Sequence, residues 1–235
     1  MKFFNRGLYA LILTIVFQSQ LSAEYLYKDD VISNPSFNKE VNKLGKELYE
    51  KTGISLRLIM IREIPTGLTI VEYEKELLKK FTEPTILLTF SELDSKVDIL
   101  ASDISLYEYF NKNQVLSPVA SPVQAFIMAI FYSDSIDSFI TTTKNYGGTI
   151  IPLLAGKAKK GELLGKYSGS MFNGYADIAE QIAESKNIVL ENAVGNANKI
   201  AITVVKVIFY GIILMAIIMY IKRQLFYRRK KNESK

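Results

Sequence analysis

The sequence predicts an α/β domain with a small mixed β-sheet flanked by helices, preceded by an export signal and followed by one membrane-spanning helix. Three observations predict it. Amphipathic helical patterns alternate with short apolar runs between residues 35 and 101, the order that builds a sheet with helices packed on it. The chain opens with Lys2, Arg6 and an apolar run over residues 8–17 that closes at Leu21-Ser22-Ala23, the pattern of a secretory signal. Residues 200–221 form a 22-residue apolar stretch, about 33 Å of helix at 1.5 Å per residue and so long enough to cross hydrocarbon.

Within 35–101 each element has its own signal. Asn34-Pro35 offers an N-cap followed by proline at the first helical position. Phe37, Val41, Leu44 and Leu48 then recur at helical spacing up to Gly53, a left-handed stop, so a helix is expected over 35–51. Residues 54–61 read as a largely apolar strand ended by Pro65-Thr66-Gly67. A second helix is expected over 69–81 with Ile70, Tyr73, Leu77 and Phe81 on one stripe, and with Glu72, Glu74 and Glu76 among the lysines of a solvated face. Residues 85–90 and 96–101 read as strands joined by a hairpin loop over 91–95. A helix between the first two strands makes them parallel, and the tight loop makes the next antiparallel.

Beyond Asp103 the pattern turns helical. Asp103 is placed to cap a short helix reaching Asn111, Pro122 to open a helix over 122–132, and a break at Gly147-Gly148 precedes a helix over 149–154. A final domain helix is expected over 168–186, with Met171, Phe172, Tyr175, Ile178, Ala179 and Ile182 toward the core. The domain is placed at 24–190, a juxtamembrane linker at 191–199, the membrane helix at 200–221 and a basic tail at 222–235. The stretch VQAFIMAIFY (residues 123–132) is too short to span a bilayer. It reads either as a buried helix or lid over the sheet, or as a docking face carried by Val123, Phe126, Ile127, Ile130 and Phe131.

Composition removes whole classes of function. The chain contains neither Cys nor His, which excludes disulfides, thiolate and imidazole metal sites, and Ser-His-Asp or Cys-His catalysis. The net charge of +5 belongs to the ends: ten of the 29 cations and one of the 24 acids lie outside residues 24–199, leaving 19 cations against 23 acids and a net charge of −4 inside. A mildly acidic domain is not expected to bind nucleic acid. The cations Lys222, Arg223, Arg228, Arg229, Lys230 and Lys231 follow the apolar stretch at once. By the positive-inside rule they place the C-terminus in the cytoplasm and residues 24–199 on the periplasmic or extracytoplasmic side of the cytoplasmic membrane. The bilayer is thus one expected partner, and another membrane protein or complex the second.

The order of elements resembles the TPM domain family. Asp30-Val-Ile-Ser33 is similar to that family's opening before its first helix, Glu50-Lys-Thr-Gly53 to the turn before its first strand, and TILLTFSELDSKVDILA (residues 85–101) to its hairpin. Ile150-Ile-Pro152, Tyr167-Ser-Gly169 and Gly174-Tyr-Ala-Asp-Ile178 resemble its closing helix pair. The sequence departs from the pattern where Ala101-Ser102-Asp103 replaces glycines after the hairpin, and residues 113–146 read as a helical insertion. The resemblance implies an α/β fold on a membrane anchor, with calcium binding and phosphatase activity attributed to some members.

For a cation such as calcium, the hard oxygen ligands on offer are Asp30 near the first helix and Asp94, Asp98 and Asp103 around the hairpin. No DxDxDG loop accompanies them, and capping or solvation also explains such residues. No residue stands out as a nucleophile, and the lysine- and glycine-rich stretch over 156–166 lacks the phosphate-binding loop pattern. Two functions follow: a non-catalytic, membrane-tethered domain that assists the assembly, maintenance or regulation of a membrane complex, and a divalent-cation-dependent envelope phosphatase. Cleavage is expected after Ala23, so N-terminal sequencing of the membrane-bound protein should begin at Glu24; an intact N-terminal segment would contradict the signal-peptide reading.

Overall fold

The computed structural model describes residues 24–159, 161–193 and 195–233, with side chains described to Ala193 and again over 207–226. The expected signal at 1–23 lies outside the described residues. The elements are β1 (Leu26–Asp29), α1 (Pro35–Thr52), β2 (Ser55–Ile61), α2 (Ile70–Leu78), β3 (Thr85–Ser91), β4 (Lys96–Ala101) and a 3-10 helix (Ile104–Glu108). They continue with α3 (Lys112–Val115), α4 (Pro122–Tyr132), α5 (Ile136–Lys144), α6 (Ile151–Ala155), α7 (Leu163–Ser185) and α8 (Gly195–Glu233). The chain divides after Ala193 into an α/β unit and the α8 unit.

The sheet has the order β1-β2-β3-β4, with β1 and β2 parallel, β2 and β3 parallel, and β3 and β4 antiparallel. Every residue of β2 and β3 is buried, which is why both read as unbroken apolar runs and not as alternating ones. One face of the sheet, with Leu56, Leu58, Met60, Ile86, Leu88 and Ile99, joins the inner sides of α1 and α7 in the main core. The opposite face, with Ile59, Ile61 and Leu87, is covered by α2 through Leu77. Parallel strands demand cover on both sides, and these helices supply it.

Two polar contacts fix this arrangement. The Tyr175 hydroxyl, fully buried on α7, donates to the Leu56 carbonyl at 2.8 Å and ties the outer helix to the central strand. Arg57, buried within β2, reaches the Glu83 carboxylate at 2.6 Å and the Glu24 carbonyl at 3.0 Å, with its guanidinium 4.2 Å from the centroid of Phe81. Local signals set the helix ends. The Asn34 side chain accepts from Ser36 N–H at the start of α1, Gly53 ends it at φ 73°, and Thr69 with Glu72 forms a capping box on α2.

The structure differs from the sequence reading in several places. Ahead of the first expected helix lies a fourth strand, β1, whose four residues are too few for a periodic signal and gain their place by pairing with β2. The inner face of α2 holds Glu74 and Leu77, so Glu74 is fully buried instead of solvated. The last domain helix starts at Leu163, five residues before the expected Ser168, continuing through Gly165 and Gly169. Residues 191–193, read as linker, are held against α1.

That last attachment runs through Glu47, whose carboxylate accepts from Lys51 Nζ at 2.7 Å, from the backbone N–H groups of Glu191 and Asn192 at 2.6 and 2.9 Å, and from Asn192 Nδ2 at 2.6 Å. Lys51 Nζ also donates to the Val189 carbonyl. Burial alone would raise the Glu47 carboxyl, but these donors overcome it and hold the group at about 2, against an ordinary 4.5. A depressed acid contributes stability that is present above its ordinary value and lost as pH falls through the folded one. Glu47→Gln is expected to cost about 2 to 3 kcal/mol at pH 7, with the deficit shrinking as pH approaches 2. Denaturant melts of parent and variant across pH check this.

Candidate functional site

The α4–α5 hairpin is the most exposed apolar feature of the α/β unit. Ser121 caps α4 by accepting from the Gln124 N–H, Pro122 fills the first turn, and Ser135 caps α5. Only Ala125 and Ala129 of α4 are buried. The five residues at i, i+3, i+4, i+7 and i+8 face solvent: Val123 is 50% exposed, Phe126 53%, Ile127 50%, Ile130 56% and Phe131 75%. The buried-helix reading of this segment is therefore corrected: α4 packs against α5, with an edge-to-face contact between Phe126 and Phe139, and leaves its large apolar side chains outside. No Asp, Glu, Lys or Arg occurs over residues 113–133.

The base of the hairpin is closed by hydrogen bonds. The Val119 carbonyl accepts from the N–H groups of Gly147 and Gly148 at 2.9 and 3.0 Å, and the Ser117 hydroxyl donates to the Asn145 carbonyl at 2.9 Å. A Cβ at position 148 would run into the Ser117 carbonyl oxygen, so the crossing requires glycine. Below it, Asp177 on α7 accepts from Gln114 Nε2 and from the Thr149 hydroxyl. The apolar face thus stands on a fixed mount.

The second feature lies beside α2, under the edge strand β4. Glu74 is wholly buried, and neither carboxyl oxygen has a hydrogen-bond partner of normal geometry. Thr89 and Asp98, a cross-strand pair between β3 and β4, adjoin it, and Lys112 at the start of α3 binds Asp98 at 2.6 Å. Burial, with the neighbouring Asp98 adding to it and Thr89 and Lys112 opposing, raises the Glu74 carboxyl to about 8. The protonated, uncharged acid is the form that the interior accepts near neutral pH. The helical period could have revealed it, since Ile70, Tyr73, Glu74, Leu77 and Leu78 fall at i, i+3, i+4, i+7 and i+8.

The four aspartates expected as cation ligands are placed apart in local roles. Asp30 pairs with Lys28 at 2.9 Å at the end of β1. Asp94, in the β3–β4 turn, accepts from the Ile64 N–H and the Ser91 hydroxyl, which hold its carboxyl below the usual range. Asp98 meets Lys112, and Asp103 caps the 3-10 helix by accepting from the Ser105 N–H. Among the described residues no three acidic side chains gather where a metal ion could be held. An open cleft of about 910 Å³ lies between residues 107–113 and α7, lined by Tyr107, Tyr109, Lys112 and Gln181 among others.

In the second unit, Val207–Phe226 of α8 is 20 residues long with a mean hydropathy of 1.6 and no residue buried, long and apolar enough to cross a membrane. The expected span over 200–221 overlaps it from residue 207. Lys222 and Arg223 lie exposed within its last turns, while Arg228, Arg229, Lys230 and Lys231 belong to the same helix with side chains outside those described. No family model matches the sequence, and no curated protein matches it.

The Glu74 site yields a signed prediction. An acid whose folded value is raised takes up a proton on folding, so stability falls as pH rises from the ordinary 4.5 toward 8. Glu74→Gln, an uncharged isostere, is expected to remove that decline: a gain of roughly a few kcal/mol at pH 8 and under about 1 kcal/mol at pH 5. Thermal melts at the two pH values measure it.

Proposed function

We propose that this chain is a membrane-tethered, non-catalytic docking module. Its α/β domain works on the extracytoplasmic side of the cytoplasmic membrane and binds another membrane protein or complex, assisting that partner's assembly, maintenance or regulation. The observation that carries this is the exposed, charge-free apolar face of α4, on a chain that also holds a helix of spanning length. Fully burying one such aliphatic or aromatic side chain contributes about 1.5 to 3 kcal/mol, so five half-exposed ones leave several kcal/mol unrealised. That is a large fraction of the ~5–15 kcal/mol that holds a domain together, and contiguous faces of this kind mark interaction surfaces.

Anchorage supports the same reading. A domain tied to the bilayer meets membrane partners at a raised effective concentration, so a modest face suffices. The cations from Lys222 onward support a cytoplasmic C-terminus, which leaves the domain outside. The architecture implied by the TPM resemblance agrees. The phosphatase reading has no comparable support, because the aspartates it would use serve separate local contacts.

A photoreactive phenylalanine analogue at position 126 of the full-length protein tests the reading. Irradiation of native membranes should give one defined protein adduct, lost when Ile127→Asp and Ile130→Asp are added. Absence of any protein adduct from a folded, membrane-bound chain would contradict it.

A further inference from the structure

We infer that the outer face of α4 rests in the interfacial layer of a lipid bilayer, so that lipid covers it before any protein does. The inference builds on the tethered placement above and adds the chemistry of the surface that the hairpin meets. Three observations point to lipid.

The first is the shape of the apolar surface. Val123, Phe126, Ile127, Ile130 and Phe131 form one stripe along an 11-residue helix too short to span hydrocarbon but suited to lying in the membrane plane. Tyr132, 77% exposed, stands at its end and brings an aromatic ring with a polar tip, the kind of side chain that favours the headgroup boundary.

The second is charge. Residues 113–133 carry no charged side chain, and Asp134 and Asp137 are the first beyond α4. Apolar burial alone must then drive the contact, with no contribution from anionic headgroups. The hairpin differs here from the lysine- and arginine-rich interfacial helices that depend on acidic lipid.

The third is reach. The last core residue of the domain, Ala193, precedes Val207 by 14 residues. Residues 195–206 are the start of α8, so this stretch is about 20 Å long at 1.5 Å per residue. A domain of this size has a radius of gyration of about 15 Å, so a link of that length holds it near any bilayer that Val207–Phe226 enters.

The chain has no cysteine, so a single engineered thiol reports cleanly. The full-length protein carrying Phe131→Cys, labelled with an environment-sensitive fluorophore, is placed in vesicles of pure phosphatidylcholine containing a spin-labelled lipid quencher. A twin carrying Lys43→Cys on the exposed side of α1 gives the aqueous reference. The inference predicts a blue-shifted probe at 131, quenched several-fold more than at 43, unchanged when phosphatidylglycerol or high salt is added. Equal, water-like signals at both positions would overturn it. A shift that appears only in native membranes would also overturn it, since protein and not lipid would then be the cover; that outcome leaves the docking module standing. Conversely, lipid quenching without a protein adduct from position 126 would sink the docking module alone.

Discussion

Apolar surface that the fold does not bury is the constraint from which the account follows. The α/β core covers both faces of its sheet and needs nothing further, yet Val207–Phe226 has no side chain buried and α4 turns five large apolar side chains to solvent. Contiguous apolar surfaces of this kind are rare on soluble monomers. The first is long enough to cross a bilayer and the second is not.

The domain that presents this surface is self-contained. Its two inner strands are held between α1 and α7 on one side and α2 on the other, with the Tyr175–Leu56 hydrogen bond and the Arg57 cross-link supplying direction to an otherwise apolar core. Glu47 and Lys51 then close the domain by fastening residues 189–192, immediately ahead of the second unit in the chain. A fastened exit matters mechanically, because any pull from an anchor would meet charge-assisted hydrogen bonds before it met the sheet. Glu74 is the counterexample within the same domain: a carboxyl left without a proper donor, which the interior tolerates by keeping it protonated.

Most of the α/β scaffold was legible because it obeys local rules. Phe37, Val41, Leu44 and Leu48 gave the phase of α1, Gly53 its end, and the loop over 91–95 the antiparallel turn. What stayed hidden depended on tertiary context. β1 is four residues long and exists through its pairing with β2. Glu74 reads as solvated in the sequence because a charge on a lysine-rich helix is normally outside, and Tyr73 and Leu77 phase the apolar stripe of α2 without the residue between them. For α4, hydrophobicity located the helix but could not say whether its face was covered. That was decided by the mount at Ser117, Val119 and Gly148, which carries the hairpin clear of the core. The aspartates illustrate the reverse case: residue type suggested a shared site, and strand positions distributed them.

A tethered module of this kind requires the domain and the basic tail to lie on opposite sides of one membrane. Single thiols introduced by Lys43→Cys and Lys235→Cys in the cysteine-free chain, exposed in intact cells with a permeabilised outer barrier to a maleimide that cannot cross the cytoplasmic membrane, test this directly. The account predicts labelling at 43 at once and at 235 only after detergent; labelling of both from outside, or of 235 alone, would contradict it.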